Sequence, residues 1–141
     1  MKVDFAVVCD YALVDQHGKL SVLGIFQHIW VAQFPVVHPR LHLVVHLKGK
    51  RTEVGQHRLV IALRDEGGAE ILSGDGTVTF NEPPAGVLEI EAGTVLAFDV
   101  PFRQPGRYQF QISIDGEVQT VVPISVSQAP APPAADPRQA N

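Results

Sequence analysis

The chain has 141 residues, a formal net charge of −4 and a hydrophobic content of 45%, which suits one globular domain with a real core. The negative charge argues against a general nucleic-acid binder, which would present a basic face. The one basic cluster, Lys48–Arg51, is explained by a loop at a strand end, with a contact to a phosphate or an acidic partner as the alternative. No run of about 18 apolar residues occurs, so we expect no membrane span. Because Cys9 is the only cysteine, no internal disulfide is possible and a cytoplasmic location is the default expectation.

The first strand is predicted over residues 2–14. Successive side chains of a strand point to opposite faces, so every second residue lies on one side. We assign one side to the core, and its members are Val3, Phe5, Val7 and Cys9. A turn follows at Asp15–Lys19, where Gly18 supplies a positive φ.

Residues 20–34 are predicted to form a second strand, and they are apolar on both faces. Such a strand is central and covered on both sides, or it carries a bulge that swaps its faces, with Gly24 as the candidate position. Trp30 is expected to anchor the core, and the alternative is an exposed recognition aromatic.

A proline-bracketed connection, Phe34–Pro39, leads to the strand with the clearest alternation, over residues 41–47. The glycines at 74–76 are interpreted as a kink, and Pro101 indicates an edge strand. Further short strands between glycine and proline turns are predicted at 58–64, 71–72, 77–80, 88–90 and 96–102.

The last part of the predicted domain has the pattern of a β-hairpin. Residues 108–114 alternate between apolar and polar, and Asp115–Glu117 forms the turn into the final strand. Pro123 in that strand indicates an edge or a bulge. Tyr108 follows a Pro-Gly turn, like the corner tyrosine of immunoglobulin-like sandwiches, whose hydroxyl bonds to upstream backbone. A structural role is therefore expected, with a binding role as the alternative.

No long stretch has the apolar spacing of three and four that a helix needs. We therefore predict an all-β fold of two packed sheets over residues 1–126, because two proline-bearing edge strands fit an open sandwich better than a closed barrel. Residues 127–141 are rich in alanine and proline and offer nothing large to bury, so a disordered tail is expected. The alternative for the tail is a ligand for a proline-recognition site.

The residues provide little evidence for chemistry. His42 and His46 share one face of a strand, but four strand residues span about 13 Å, too far for both rings to reach one zinc ion easily. Cys9 is expected to behave as a small buried apolar group. No nucleophile elbow, phosphate-binding glycine loop or twelve-residue calcium loop occurs. We assign no catalytic, cofactor-binding or metal-ligating residue and no cofactor.

Several motifs resemble a family of small, functionally uncharacterised bacterial proteins. They are Cys9–Leu13, Gly18–Leu20, Gly24–Phe26 and Phe34–Pro39, together with Pro105–Tyr108 and Asp115–Gly116. The resemblance covers about residues 1–126. It implies an immunoglobulin-like antiparallel β-sandwich, and it carries no catalytic residues to transfer.

The leading functional hypothesis is a non-enzymatic binding or structural module that contacts a protein partner, or a second copy of itself, through sheet edges and loops. Candidate contact loops are Asp15–Lys19, Phe34–Arg40 and Asn81–Gly86. Neither nucleic acid nor membrane is expected as a partner. The alternatives are a small-molecule or carbohydrate binder that uses Trp30, Tyr11 or histidines, and an enzyme of unknown class.

Overall fold

The computed structural model describes residues 1–130 as an all-β fold of two sheets around a hydrophobic core. The predicted tail lies, from residue 131 onward, outside the described residues. The strands are β1 (Lys2–Val14), β2 (Leu20–Ile25), β3 (His28–Val31), β4 (Val36–Lys50), β5 (Gly55–Arg64), β6 (Glu70–Phe80), β7 (Glu89–Phe102), β8 (Gly106–Ile114) and β9 (Glu117–Gln128), with one 3₁₀ turn at Arg51–Glu53.

The strand order is β2-β1-β4-β7 in the first sheet and β3-β9-β8-β5-β6 in the second. The first sheet is antiparallel throughout, but β3 runs parallel to β9 in the second. The expectation of a purely antiparallel sandwich is therefore wrong for this pair. Only Phe26 and Gln27 separate β2 from β3, so the chain passes from the edge of one sheet to the edge of the other within two residues.

This crossing also corrects the prediction of a single strand over residues 20–34. The segment forms two edge strands of different sheets, so a different side of the chain faces the core in each. The apolar pattern on both faces comes from the change of sheet and not from a central position. Gly24, the candidate bulge, has a φ of +69°, and a Cβ at this position would collide with the carboxylate of Asp10.

The core confirms the strand predicted over residues 41–47. Every second side chain of this part of β4 is fully buried and packs in one cluster with side chains of β5 and β8. Those of β4 are Leu41, Leu43, Val45 and Leu47, and those of the facing sheet include Leu59, Ile61, Phe110 and Ile112.

The predicted β8–β9 hairpin and its tyrosine are also confirmed. Asp115 and Gly116 both have positive φ values, +50° and +86°, which is the conformation of a type I′ turn and matches the twist of the two strands. The hydroxyl of Tyr108 donates a hydrogen bond to the carbonyl oxygen of Gln104, four residues upstream. This bond ties the start of β8 to the preceding turn.

Both prolines mark free edges, as predicted. Pro101 lies in β7, the last strand of its sheet. Pro123 lies in β9 just before Ser125–Gln128, the only part of β9 that pairs with β3. Proline lacks the N–H that a strand gives to its neighbour, so within sheets it is found mainly at such edge positions.

Two regions predicted as short pieces are long continuous strands. β6 pairs with β5 without a register shift from Leu72 to Phe80, so the glycines at 74–76 form no kink. A Cβ at Gly74 would lie 3.0 Å from Cε1 of Phe98, so this glycine makes room for an aromatic ring. The pieces predicted at 88–90 and 96–102 belong to one strand, β7.

The face assigned to the core in β1 is wrong beyond Val3. A register shift between Val3 and Phe5 changes the phase of the alternation. Val7 and Cys9 therefore pair with Val44 and His42, which face away from the core side of β4. Cys9 is nevertheless fully buried, so something else must cover the outer face of this sheet.

The cover is the β1–β2 hairpin, which curls over the outer face. Leu20 and Val22 pack with Cys9, Val44 and Val95 in a second apolar cluster. In a flat sheet β2 would lie about 14 Å from β7, yet a Cβ at Gly93 of β7 would lie 2.8 Å from Cδ1 of Leu20. The hairpin therefore forms a small third layer.

Candidate interaction groove

The three loops proposed as contact sites have different positions in the structure. In Asp15–Lys19, the Asp15 carboxylate accepts hydrogen bonds from the backbone N–H groups of His17 and Lys19. The Asn81–Gly86 loop is held by Arg51, whose guanidinium donates to the carbonyl oxygens of Pro83 and Pro84. The loop Phe34–Arg40 borders a groove, which its residues Val36–Pro39 line on one side.

This groove, the β3–β4 groove, has a volume of about 520 Å³. It is lined by residues 28–32 on one side and residues 36–39 on the other, together with Asp10 and Phe26. It opens here because β1 pairs with β4 only as far as His42. The start of β4 and the edge of β3 therefore face each other without a strand between them.

The walls of the groove carry unusually exposed apolar side chains. Trp30, expected in the core, is 62% exposed, and Val37 on the opposite wall is 56% exposed. The side chains of Ile29 and Val31 are buried, so the alternation of β3 places Trp30 on the outside. The prediction of a core tryptophan is wrong because β3 is an edge strand with only one covered face.

The indole of Trp30 is held in place by its neighbours. It stacks on the imidazole of His28, with ring centroids 4.2 Å apart and an angle of 23° between the rings. Nε2 of His28 lies 2.9 Å from the hydroxyl oxygen of Ser127 in β9. The rings of Trp30 and His28 therefore form a flat aromatic platform with a fixed orientation.

The backbone of β3 offers hydrogen-bonding groups on the same side. The carbonyl oxygens of Gln27 and Val31 accept bonds from Ser125 and Ala129, toward β9. Because backbone groups alternate along a strand, those of His28 and Trp30 point away from β9. Within residues 1–130, β3 has no second neighbouring strand.

One buried polar atom in the groove has no partner among the described residues. It is Nδ1 of His38, whose ring lies 5.9 Å from that of Phe26. Buried polar groups are almost always hydrogen-bonded, so this nitrogen is an exception among the described residues.

The sequence profile of a family of unknown function, DUF6941, matches residues 4–127. The chain belongs to DUF6941. The matched range begins in β1 and ends in β9, so it includes both walls of the groove. No curated protein matches the DUF6941 chain. The described part of the chain contains no helix with the length and hydropathy of a membrane span.

Two histidines of the DUF6941 protein, His42 and His46, make local contacts. His46 stacks on Phe5 and bonds to Asp4, while Nδ1 of His42 donates to the carbonyl oxygen of Arg40. Residues 1–130 contain no group of three or more His, Cys, Asp and Glu side chains that could hold a metal ion.

Cys9 has the environment of a structural thiol. It is fully buried beneath the curled hairpin, and this burial raises the pKa of the thiol. A raised pKa lowers the fraction of thiolate, which is the nucleophilic form.

A short charged pair of the DUF6941 protein joins His57 and Asp115. Nδ1 of His57 donates to the Asp115 carboxylate and Nε2 donates to the carbonyl oxygen of Glu53, both at 2.6 Å. Neither acceptor carries a proton, so both bonds form only with the imidazolium. The bond to Asp115 and then that to Glu53 raise the pKa of His57, and the bond from His57 lowers the pKa of Asp115.

The pair predicts a pH-dependent stability. His57 stabilises the fold fully below its ordinary pKa of 6.5, and this contribution is lost as the pH rises through the raised pKa. Asp115 contributes above its ordinary pKa of 3.8 and loses its contribution as the pH falls through the lowered pKa. Since half of the Asp115 side chain is exposed, we expect a loss of about 1 kcal/mol in the free energy of unfolding above neutral pH.

Urea unfolding at a series of pH values measures this loss, and Asp115→Asn is the matched variant. Asparagine tolerates the positive φ of the turn and can still accept the hydrogen bond from the Arg58 backbone, but it carries no charge. We expect the pH slope to shrink in this variant. An unchanged slope would show that the pair does not control it.

Sequence reasoning found one wall of the groove and missed the other. The prolines of Phe34–Arg40 indicated an exposed connection, whereas β3 was hidden inside a longer apolar segment. The double-sided apolar pattern of residues 20–34 was the available signal, but it was interpreted as a covered central strand or as one strand with a bulge at Gly24.

Proposed function

We propose that the chain is a non-enzymatic binding module that holds an extended segment of a protein partner in the β3–β4 groove. The observation that carries this proposal is the 62% exposure of Trp30, beside an unpaired strand edge. Tryptophan is among the residues most enriched at the energetic centres of protein interfaces. Its exposed apolar surface gains free energy when a partner covers it.

An extended occupant fits the groups that the groove presents. The free edge of β3 supports main-chain hydrogen bonds of the kind made in strand addition. A polyproline II segment fits as well, because it is extended and makes no hydrogen bonds within itself. Aromatic platforms such as Trp30 and His28 are typical docking sites for such segments.

We expect the full-length protein to bind extended apolar or proline-containing peptides from a synthetic peptide array. Trp30→Ala should weaken the binding of each selected peptide about thirtyfold or more, as expected for the loss of a central aromatic anchor. Titrations of selected peptides measure the change in Kd.

The matched control is Leu88→Ala, because Leu88 is 73% exposed but lies before β7, outside the groove. We expect this variant to bind normally. An equal loss in both variants, or an array without any binding peptide, would contradict the proposed function.

A small-molecule or carbohydrate binder is the second candidate. The stacked rings of His28 and Trp30 present a flat aromatic face of the kind that a sugar ring could cover, and about 520 Å³ lies within the range of ligand pockets. A thermal-shift screen with sugars and nucleotides separates the two candidates, since a ligand that binds only the folded state raises its Tm.

We further propose that the sandwich is a variant of the immunoglobulin-like fold. The order β9-β8-β5-β6 corresponds to strands G, F, C and C′ of a variable-type domain. The bond from Tyr108 to Gln104 corresponds to the tyrosine corner near the start of strand F. In this reading, the β1–β2 hairpin is an addition to the fold.

We propose a bacterial cytoplasmic setting for this module. The bacterial origin rests on the resemblance of its turn motifs to uncharacterised bacterial proteins. The cytoplasmic location rests on the use of a single cysteine, Cys9, since small secreted domains are commonly held together by paired cysteines.

A further inference from the structure

We infer that the β3–β4 groove selects extended segments of a partner that carry a lysine or an arginine, and that the carboxylate of Asp10 recognises this basic residue. The inference rests on the proposed function, because it takes the groove to be a site for extended segments. It adds the charge of the occupant and names the residue that determines the specificity.

Asp10 lies at the point where β1 separates from β4. The last pair between these two strands joins Cys9 to His42, and Asp10 is the next residue of the chain. Asp10 lines the groove and is exposed to solvent. A segment that enters the groove therefore passes close to this carboxylate.

A glycine fixes the position of the Asp10 carboxylate. Gly24 of β2 has a φ of +69°, and the carboxylate occupies the space that a Cβ at this position would need. Because Gly24 lies shortly before β3 in the chain, Asp10 is at the end of the groove where β3 begins. The connection from β3 to β4, residues 32–35, closes the opposite end.

The charge of Asp10 is not compensated within residues 1–130. Asp10 is the only Asp, Glu, Lys or Arg among the residues that line the groove, and no basic side chain of the described residues forms an ion pair with it. The other described aspartates each pair with a basic side chain or accept a hydrogen bond from the backbone. They are Asp4, Asp15, Asp65, Asp75, Asp99 and Asp115. A basic group on the occupant would supply the missing opposite charge.

The length of β3 sets the spacing that the occupant needs. The four residues of β3 span about 13 Å, with Trp30 as the third of them and Asp10 near the first. An apolar residue on the indole and a basic residue at Asp10 are therefore separated by about two to four residues. Lysine and arginine suit this position, because their apolar stems pack along an apolar wall while the charged group reaches the carboxylate.

Titration of matched peptides into the full-length protein tests the inference. Each peptide selected from the array is synthesised with lysine, glutamine or glutamate at positions about two to four residues from its main apolar residue. Fluorescence of Trp30, the only tryptophan, reports binding. We expect the best lysine peptide to bind about threefold to fivefold more tightly than its glutamine counterpart, as for a partly exposed ion pair, and the glutamate peptide to bind most weakly. This preference should shrink at about 0.5 M NaCl, because salt screens exposed charges.

Two substitutions of Asp10 test the residue itself. Asp10→Asn keeps the shape of the side chain and removes its charge, so we expect the lysine and glutamine peptides to bind equally, with the Kd of the glutamine peptide unchanged. Asp10→Lys should reverse the preference, because it repels the lysine peptide and attracts the glutamate peptide. The control is Glu89→Gln, which removes the same charge from an exposed residue outside the groove and should keep the native preference.

The outcomes separate this inference from the proposed function. If the native protein binds the selected peptides without distinguishing lysine from glutamine, the inference is wrong and the proposed function stands. If no peptide binds, both are wrong. A lysine preference that persists in Asp10→Asn overturns the inference. An equal loss of all peptides in that variant also overturns it, since Asp10 would then support the shape of the groove and not its specificity. If neither variant folds, the native protein decides, because a lysine preference unchanged at about 0.5 M NaCl would rule out recognition by charge.

Discussion

Ile112→Asp is expected to unfold the domain. Ile112 is fully buried in β8, where it belongs to one core cluster with side chains of β4 and β5. An aspartate there would be an unpaired charge in an apolar environment. We expect a loss of more than about 4 kcal/mol, comparable to the total stability of a typical domain. Far-ultraviolet circular dichroism and urea unfolding measure it.

The neighbouring Gln111→Asp is the matched control. Gln111 points to the other face of the sheet and pairs with Ala62 and Val121. The same carboxylate is partly hydrated on that face, so we expect a cost of about 1 kcal/mol, mostly from the low strand propensity of aspartate. Similar tolerance of the two substitutions would contradict the assignment of inner and outer faces.

Gly93→Val is expected to release the curled hairpin and expose Cys9. Three atoms of the Leu20 side chain would lie within 3.0 Å of a Cβ at Gly93, so Leu20 must move away from β7. Overpacking of this size costs about 1–3 kcal/mol, which corresponds to an increase of about fivefold to 150-fold in hairpin opening. The rate at which a thiol reagent labels Cys9 in the native protein measures this increase.

Gly76→Val controls for the change from glycine to a β-branched residue in a strand. Gly76 lies in β6, and a Cβ there meets nothing within 4 Å. We expect Cys9 to be labelled at the native rate in this variant. Unchanged labelling in Gly93→Val would mean that the hairpin does not protect the thiol.

The alternation of side chains and the turn residues predicted those elements whose main contacts are with nearby residues of the chain. The β8–β9 hairpin follows from alternation around the Asp115–Gly116 turn, and both strands and the turn are as predicted. The inner face of β4 follows from Leu41 to Leu47 because this strand lies between two others, with its alternation unbroken there. Tyr108 was predictable because its partner, Gln104, lies only four residues upstream.

The groove could be predicted only in part. The Phe34–Arg40 loop was among the candidate contact sites because prolines favour exposed connections. Trp30 was assigned to the core because apolar residues surround it in the sequence. The exposure of a side chain depends on what packs against it, and a pattern within one segment does not contain that information.

By itself, the sequence determined the all-β class, the hairpin and the inner face of β4, because side-chain alternation along an extended chain is a local property. The tertiary structure alone decided the crossing between β2 and β3, the outward direction of Trp30 and the burial of Cys9 under Leu20. Each of these depends on contacts between residues far apart in the chain, and the free energy of those contacts selects which of two equally apolar faces is covered.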